Sequence, residues 1–129
     1  MREHRLVSEE LRKKALVLAN GDLCWRGADI EAALKEITDA GQVVLGFDIY
    51  ERLSDGTLKD CGTSGFQMEQ ILQRAPWGEC ISMSLALAVR DVRDTKRLTG
   101  VEPPFTELWY CVVALDRVSL ARYLRGENS

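Results

Sequence analysis

Apolar side chains recur along this chain at two spacings, and the changes from one to the other divide it into elements. Ser8 is a good helix cap, and Glu9 and Glu10 follow it where a helix carries positive partial charge. Leu11, Ala15, Leu18 and Ala19 keep a helical spacing that Asn20-Gly21 ends. A second helix is predicted from Asp29 to Ala40, because Ile30, Ala33, Leu34 and Ile37 form one apolar stripe and Gly41 follows it. From Gln42 to Leu53 the period becomes two. Val43, Leu45, Phe47 and Ile49 predict a strand with one wholly apolar face. Val44, Gly46, Asp48, Tyr50 and Arg52 point the other way and turn polar toward the end of the strand. Gly46 is expected to relieve crowding where a helix or an aromatic ring approaches. Ser54-Asp55-Gly56 is a turn signal. Thr57 to Asp60 then returns as a second strand, followed by a loop at Cys61 to Ser64 and a resumption around Gly65 to Met68.

Pro76 interrupts any helix through Gln70 to Trp77. The helical period is plain again from Glu79 to Arg97, carried by Ile81, Leu85, Ala88, Val89 and Val92, and Thr99-Gly100 ends it. Pro103-Pro104 holds an extended connection. Residues 107–115, ELWYCVVAL, read as a buried strand, and Asp116 caps a last helix from Arg117 to Arg125. The predicted fold is α+β: a small three-stranded, mainly antiparallel sheet of order 2-1-3, packed with three to four helices. The Val43 strand is its expected centre.

Length and charge narrow the function classes. A chain of 129 residues is one domain, 1–129, with enough material for a real core. Its net charge of −3 argues against a general nucleic-acid binder. The charge is unevenly placed. Residues 20–70 carry ten acidic and four basic side chains, a local excess of −6. Such a segment serves solubility or attracts a basic partner. No apolar stretch follows the basic start, and the longest uncharged run, Cys80 to Val89, is too short to span a bilayer. A cytoplasmic protein with no membrane partner is expected. Cys24, Cys61, Cys80 and Cys111 form no C-x-x-C pair, so reduced, mostly buried thiols are expected, with Cys111 in the core.

Little in the sequence points to catalysis. The single histidine, His4, lies near the terminus, which leaves no His-based metal site and no obvious nucleophile–base pair. No phosphate-binding loop motif occurs, and Cys61-Gly-Thr-Ser-Gly65 matches neither that motif nor a nucleophile elbow. Asp48 and Glu51 fall on opposite faces of a strand. Asp48 paired with Asp60 across the hairpin, or Cys61 beside them, would be the basis of a small enzyme. Arg52 shares the face of Asp48 and offers it an ordinary ion pair instead. A third reading is a regulatory domain that dimerises through the short second strand. No cofactor and no metal are expected.

The stretch 32–51, AALKEITDAGQVVLGFDIYE, resembles the bacterial immunity-protein-forty family of polymorphic-toxin systems. That family joins an amphipathic helix to a strand reading roughly V-L-G-G-D-V-Y and then an acidic-glycine turn; Val44-Leu45-Gly46 and Asp48-Ile49-Tyr50 match the strand and Asp55-Gly56 the turn, in order. Trp77, the small-residue-rich helix from Glu79 and the closing strand at 108–115 fit its layout. Phe47 stands where the family has a second glycine, and Cys61 to Phe66 lacks its aromatic motif. The resemblance implies an inhibitor that binds and neutralises a cognate toxin domain. Its partner-binding residues are then expected among Asp48, Tyr50 and Arg52 on the strand, Asp55 at the turn, Asp60 and Phe66 beside the loop, and Trp77. Trp25 is a core lid or a further anchor, and Tyr50 is expected to pack across strands with Tyr110.

Overall fold

The computed structural model describes residues 7–66, 71, 74–103 and 107–126. Helix α1 (Glu9–Lys14) leads into strands β1 (Leu16–Val17) and β2 (Leu23–Arg26), then helix α2 (Gly27–Asp39). Strands β3 (Val43–Arg52) and β4 (Leu58–Gly65) form a hairpin. Helices α3 (Trp77–Arg93) and α4 (Thr95–Thr99), strand β5 (Leu108–Leu115) and helix α5 (Arg117–Leu124) complete the chain. The architecture is α+β, with one antiparallel sheet of order β1-β2-β5-β3-β4. His4, Met68, Gln70 and Pro104 lie outside the described residues.

The expected three-stranded sheet of order 2-1-3 is corrected to five strands. The difference arises at residues 15–26, where a longer helix and a loop were expected. Ser8 does cap α1, its side chain accepting from the Leu11 amide at 3.3 Å. The helix nevertheless ends at Lys14, because Ala15 is extended and Leu16 pairs with Cys24. A tight turn closes this ribbon: the Leu18 amide donates to the Asp22 carbonyl, and Gly21 takes the positive φ of 89° that the turn needs. Trp25, wholly buried, donates its indole N–H to the Leu11 carbonyl at 2.9 Å. That carbonyl lies in the last turn of α1, where helical partners run out. A tertiary contact thus decides what local spacing left ambiguous.

The second strand is also longer than expected. Residues 61–64 are not a loop but part of β4, held by pairing with β3 despite a sequence without hydrophobic alternation. The third predicted helix breaks at Asp94 into α3 and α4, and Gly100 ends α4 with φ 73°.

A β-bulge overturns the expected faces of β3. Val44 lies opposite Ala114 and Gly46 opposite Val113, so Leu45 is an extra residue. The alternation therefore changes phase. Val44, Phe47 and Ile49 join the main core with Leu108, Tyr110, Val112 and Ala114 of β5 and with Ile30, Leu34, Ala88 and Val92 of α2 and α3. Val43 and Leu45 pack instead with Leu115, Leu120 and Trp77. The amide of Val44, beside the bulge, is taken by the Ser84 hydroxyl at 3.0 Å, which itself donates to the Ile81 carbonyl. At Gly46, with φ 155°, a Cβ would sit 2.0 Å from the Ser64 carbonyl. The close approach expected there is made by the backbone of β4, not by a helix or a ring.

Candidate functional site: the helix-free face of the sheet

Residues directly opposite one another on antiparallel strands share a face. The registers therefore assemble the second face row by row. Cys24, Cys111, Asp48 and Thr63 lie in one row, and Arg26, Trp109, Tyr50 and Asp60 in the next. Cys24, Trp109 and Cys111 form a small apolar cluster here, with Leu16, Leu18 and Tyr50 partly buried against it. None of those six residues belongs to a helix. Among the described residues, helices reach this face at its far end, where Leu120 of α5 and Trp77 and Cys80 of α3 pack with Val43 and Leu115.

Toward β4 the surface opens. Asp48 and Tyr50 are half-buried, while Arg52, Asp60 and Thr63 are exposed. Thr63 donates its hydroxyl to Asp48 Oδ1 at 2.8 Å. That contact, and not the ion pair with Arg52 weighed from the sequence, is what holds the carboxylate. Tyr50 faces Trp109, whereas Tyr110 lies opposite Ile49 on the other face, so the expected Tyr50–Tyr110 packing is corrected. Tyr110 instead meets Phe47 edge-on, with centroids 5.6 Å apart, and hydrogen-bonds Thr95. Burial first, and then the Asp48 carboxylate, push the Tyr50 hydroxyl above the usual tyrosine range. The hydroxyl is therefore neutral at physiological pH, with Asp60 directly opposite and Asp48 in the next row of the same face.

Trp109 adds a group that the candidate residues did not include. The Arg26 guanidinium lies 4.9 Å from its ring centroid, a cation–π contact. Its indole Nε1 is buried and has no hydrogen-bond partner among the described residues. Residues 108–115 are apolar throughout, so no alternation marked which of them faces outward, and the partner strand β2 was needed to place Trp109.

At the hairpin end, Asp55 is fully exposed and its Oδ1 accepts from the Thr57 amide at 2.9 Å. Hydrogen bonds from Thr57 hold its carboxyl below the usual aspartate range. The remaining candidates lie elsewhere. Phe66 is half-buried against two apolar clusters, the main core and the one around Val43 and Leu120, and Trp77 donates its indole N–H to the Gly41 carbonyl at 3.2 Å, joining the start of α3 to the end of α2. The structure thus gathers Asp48, Tyr50, Arg52 and Asp60 on one face and places Phe66 and Trp77 apart from them. Trp25 is a core residue.

Of the residues weighed for catalysis, Asp48 and Asp60 share a face but Cys61 does not join them. A second irregularity makes Cys61 the extra residue between the Ile49–Gly62 and Tyr50–Asp60 pairs. Cys61 packs toward the helix-side core, away from Asp48 and Asp60. Burial pushes its thiol up, the direction opposite to that of an activated nucleophile. Among the described residues no group of three or more His, Cys, Asp or Glu side chains is placed to hold a metal ion. Nor is any helix among them long and apolar enough to cross a membrane. A cavity of about 490 Å³ opens at the sheet edge beside Arg26, Gly27, Val92 and Tyr110. Glu31 at its rim is held by Arg93 through two hydrogen bonds of 3.2 and 2.9 Å. Compared with family models, characterised proteins and solved structures, the chain matches none.

Proposed function

We propose that this chain is an immunity protein, which binds a cognate toxin domain and blocks it through the helix-free face around Asp48, Tyr50 and Asp60. The observation that carries this reading is the gathering of two carboxylates, a neutral tyrosine hydroxyl and Trp109 on one sheet surface, with no helix over them among the described residues. The set suits recognition. Carboxylates steer a basic partner in, and the half-buried Tyr50, backed by the buried Trp109, fixes it once it has docked. Residues 20–70, with their local charge of −6, supply both strands of the hairpin. The sequence resemblance to the immunity-protein-forty family, strongest at 42–56, points to the same hairpin. No step of this role requires a cofactor, a metal or catalysis by the chain.

The test is co-expression with the toxin domain encoded by the neighbouring reading frame. The expected results are rescue of growth and co-purification of a stable complex, with an on-rate that falls as ionic strength rises. Absence of both rescue and complex overturns the proposal. A salt-independent on-rate removes the acidic face from it.

A further inference from the structure

Cys24 of β2 stands directly opposite Cys111 of β5. Opposed residues of an antiparallel pair have Cα atoms about 4.5–5.5 Å apart. A disulfide accepts Cα separations of about 4.4–6.8 Å, so the backbone already supplies the geometry of a cross-link. Both side chains share the helix-free face, and both belong to the same small cluster. No other cysteine belongs to that cluster, since Cys61 and Cys80 pack in the other two. In this structure Cys24 and Cys111 are thiols.

We propose that Cys24 and Cys111 form a modification site, a cross-strand dithiol that oxidises to one intramolecular disulfide and fastens the β1–β2 edge to the body of the sheet. The oxidant is a small disulfide of the glutathione class. A thiolate at Cys111, the less completely buried of the two at 5% exposure against 0%, attacks the small disulfide and expels one thiolate. Cys24 then attacks the protein sulfur of the mixed disulfide and expels the second. Two protein thiols are oxidised, one small disulfide is reduced to two thiols, and the two protons released by the cysteines end on them. Access comes from the edge. Leu16 of the two-residue strand β1, Leu18 of the turn beyond it and Tyr50 of β3 pack against this cluster, all three only half-buried. A short edge ribbon of this kind is the sort of unit that opens locally without global unfolding. This inference concerns the sheet's own strands and holds whether or not the face binds a toxin.

The experiment incubates the full chain in glutathione buffers of rising oxidised fraction, traps remaining thiols by alkylation, and reads intact mass and a peptide map. In parallel the reduced chain is refolded from denaturant in the same buffers, so that burial cannot prevent reaction. The expected product is lighter by two hydrogens before alkylation, keeps two of its four thiols, and yields a single Cys24–Cys111 linked peptide. Its urea midpoint lies above that of the reduced protein and returns on reduction. A Cys61→Ser/Cys80→Ser double variant is expected to react in the same way, and Cys24→Ser to form no internal link. Retention of all four thiols after oxidative refolding, a link between any other pair, or glutathione adducts without a cross-link would each overturn the proposal.

Discussion

The two faces of one sheet obey different rules. On the helix side, β3 and β5 present Val44, Phe47, Ile49, Leu108, Tyr110 and Val112 to α2 and α3, and all six are essentially out of solvent. On the other side the same two strands present Asp48, Tyr50, Trp109, Cys111 and Val113, and the cover comes from neighbouring strands and the β1–β2 turn. Val113 remains 44% exposed there. Stability is thus concentrated on one side, where close packing makes every methylene count. The opposite side keeps polar groups whose own folding contribution is small. The strands are held by what lies behind them, which leaves their front available for the recognition proposed above.

Paired substitutions on β3 are the strongest test of this division. Phe47→Ala is expected to cost about 3–5 kcal/mol in urea denaturation, as large aromatic truncations in packed cores do. Tyr50→Ala, three residues on and facing the other way, is expected to cost about 1–2 kcal/mol. Equal losses would mean that the second face is as much a core as the first. Next in size is the bond that fixes the bulge. Ser84→Ala leaves the buried Val44 amide without its acceptor and should cost about 1–3 kcal/mol. A negligible loss would show that another group satisfies this amide and that the bulge is not anchored by α3.

Smaller still is the cap of α5. Asp116 Oδ1 accepts from the Ser119 amide at 2.7 Å, and these hydrogen bonds hold its carboxyl below the usual aspartate range. A lowered folded value means that the cap contributes fully above the ordinary aspartate pKa and is lost as pH falls through the lowered one. Asp116→Ala should cost about 0.5–1 kcal/mol at neutral pH. Its difference from the parent protein should shrink under acid conditions, and a difference that grows with acid would contradict the cap. The smallest effect on folding is expected at the front face. Asp48→Asn with Asp60→Asn should move stability by no more than about 0.5 kcal/mol. The same pair should slow association with the toxin domain at low salt. Large destabilisation with unchanged binding would reverse the roles assigned to the two faces.

Helix α2, strands β3 and β5, the Ser54–Gly56 turn and the Asp116 cap were legible because each is written in local spacing or local chemistry. Strands β1 and β2 were not. Leu16 and Val17 lie within the helical spacing of Leu11, Ala15, Leu18 and Ala19, and what turns them into a strand is pairing with Leu23 and Cys24 together with the Trp25–Leu11 bond. Such contacts have no footprint in a window of neighbouring residues. The bulge at Leu45 is hidden for the same reason: alternation predicts faces only while the ladder is unbroken, and Gly46 marks a break without giving its direction. The polar face was legible at Asp48, Tyr50 and Arg52 because these lie beyond the bulge. Thr63, Trp109 and Arg26 could be added only once the strand order was known.

The turn between β3 and β4 holds its own shape. Asp55 grips the amide of Thr57, Leu53 pairs with Thr57 through backbone, and Gly56 adopts the positive φ of 87° that the reversal demands. An incoming molecule that touches this tip meets a finished contour and has little chain freedom to freeze on arrival. Grafted onto another two-stranded ribbon, residues 53–57 should carry that contour with them.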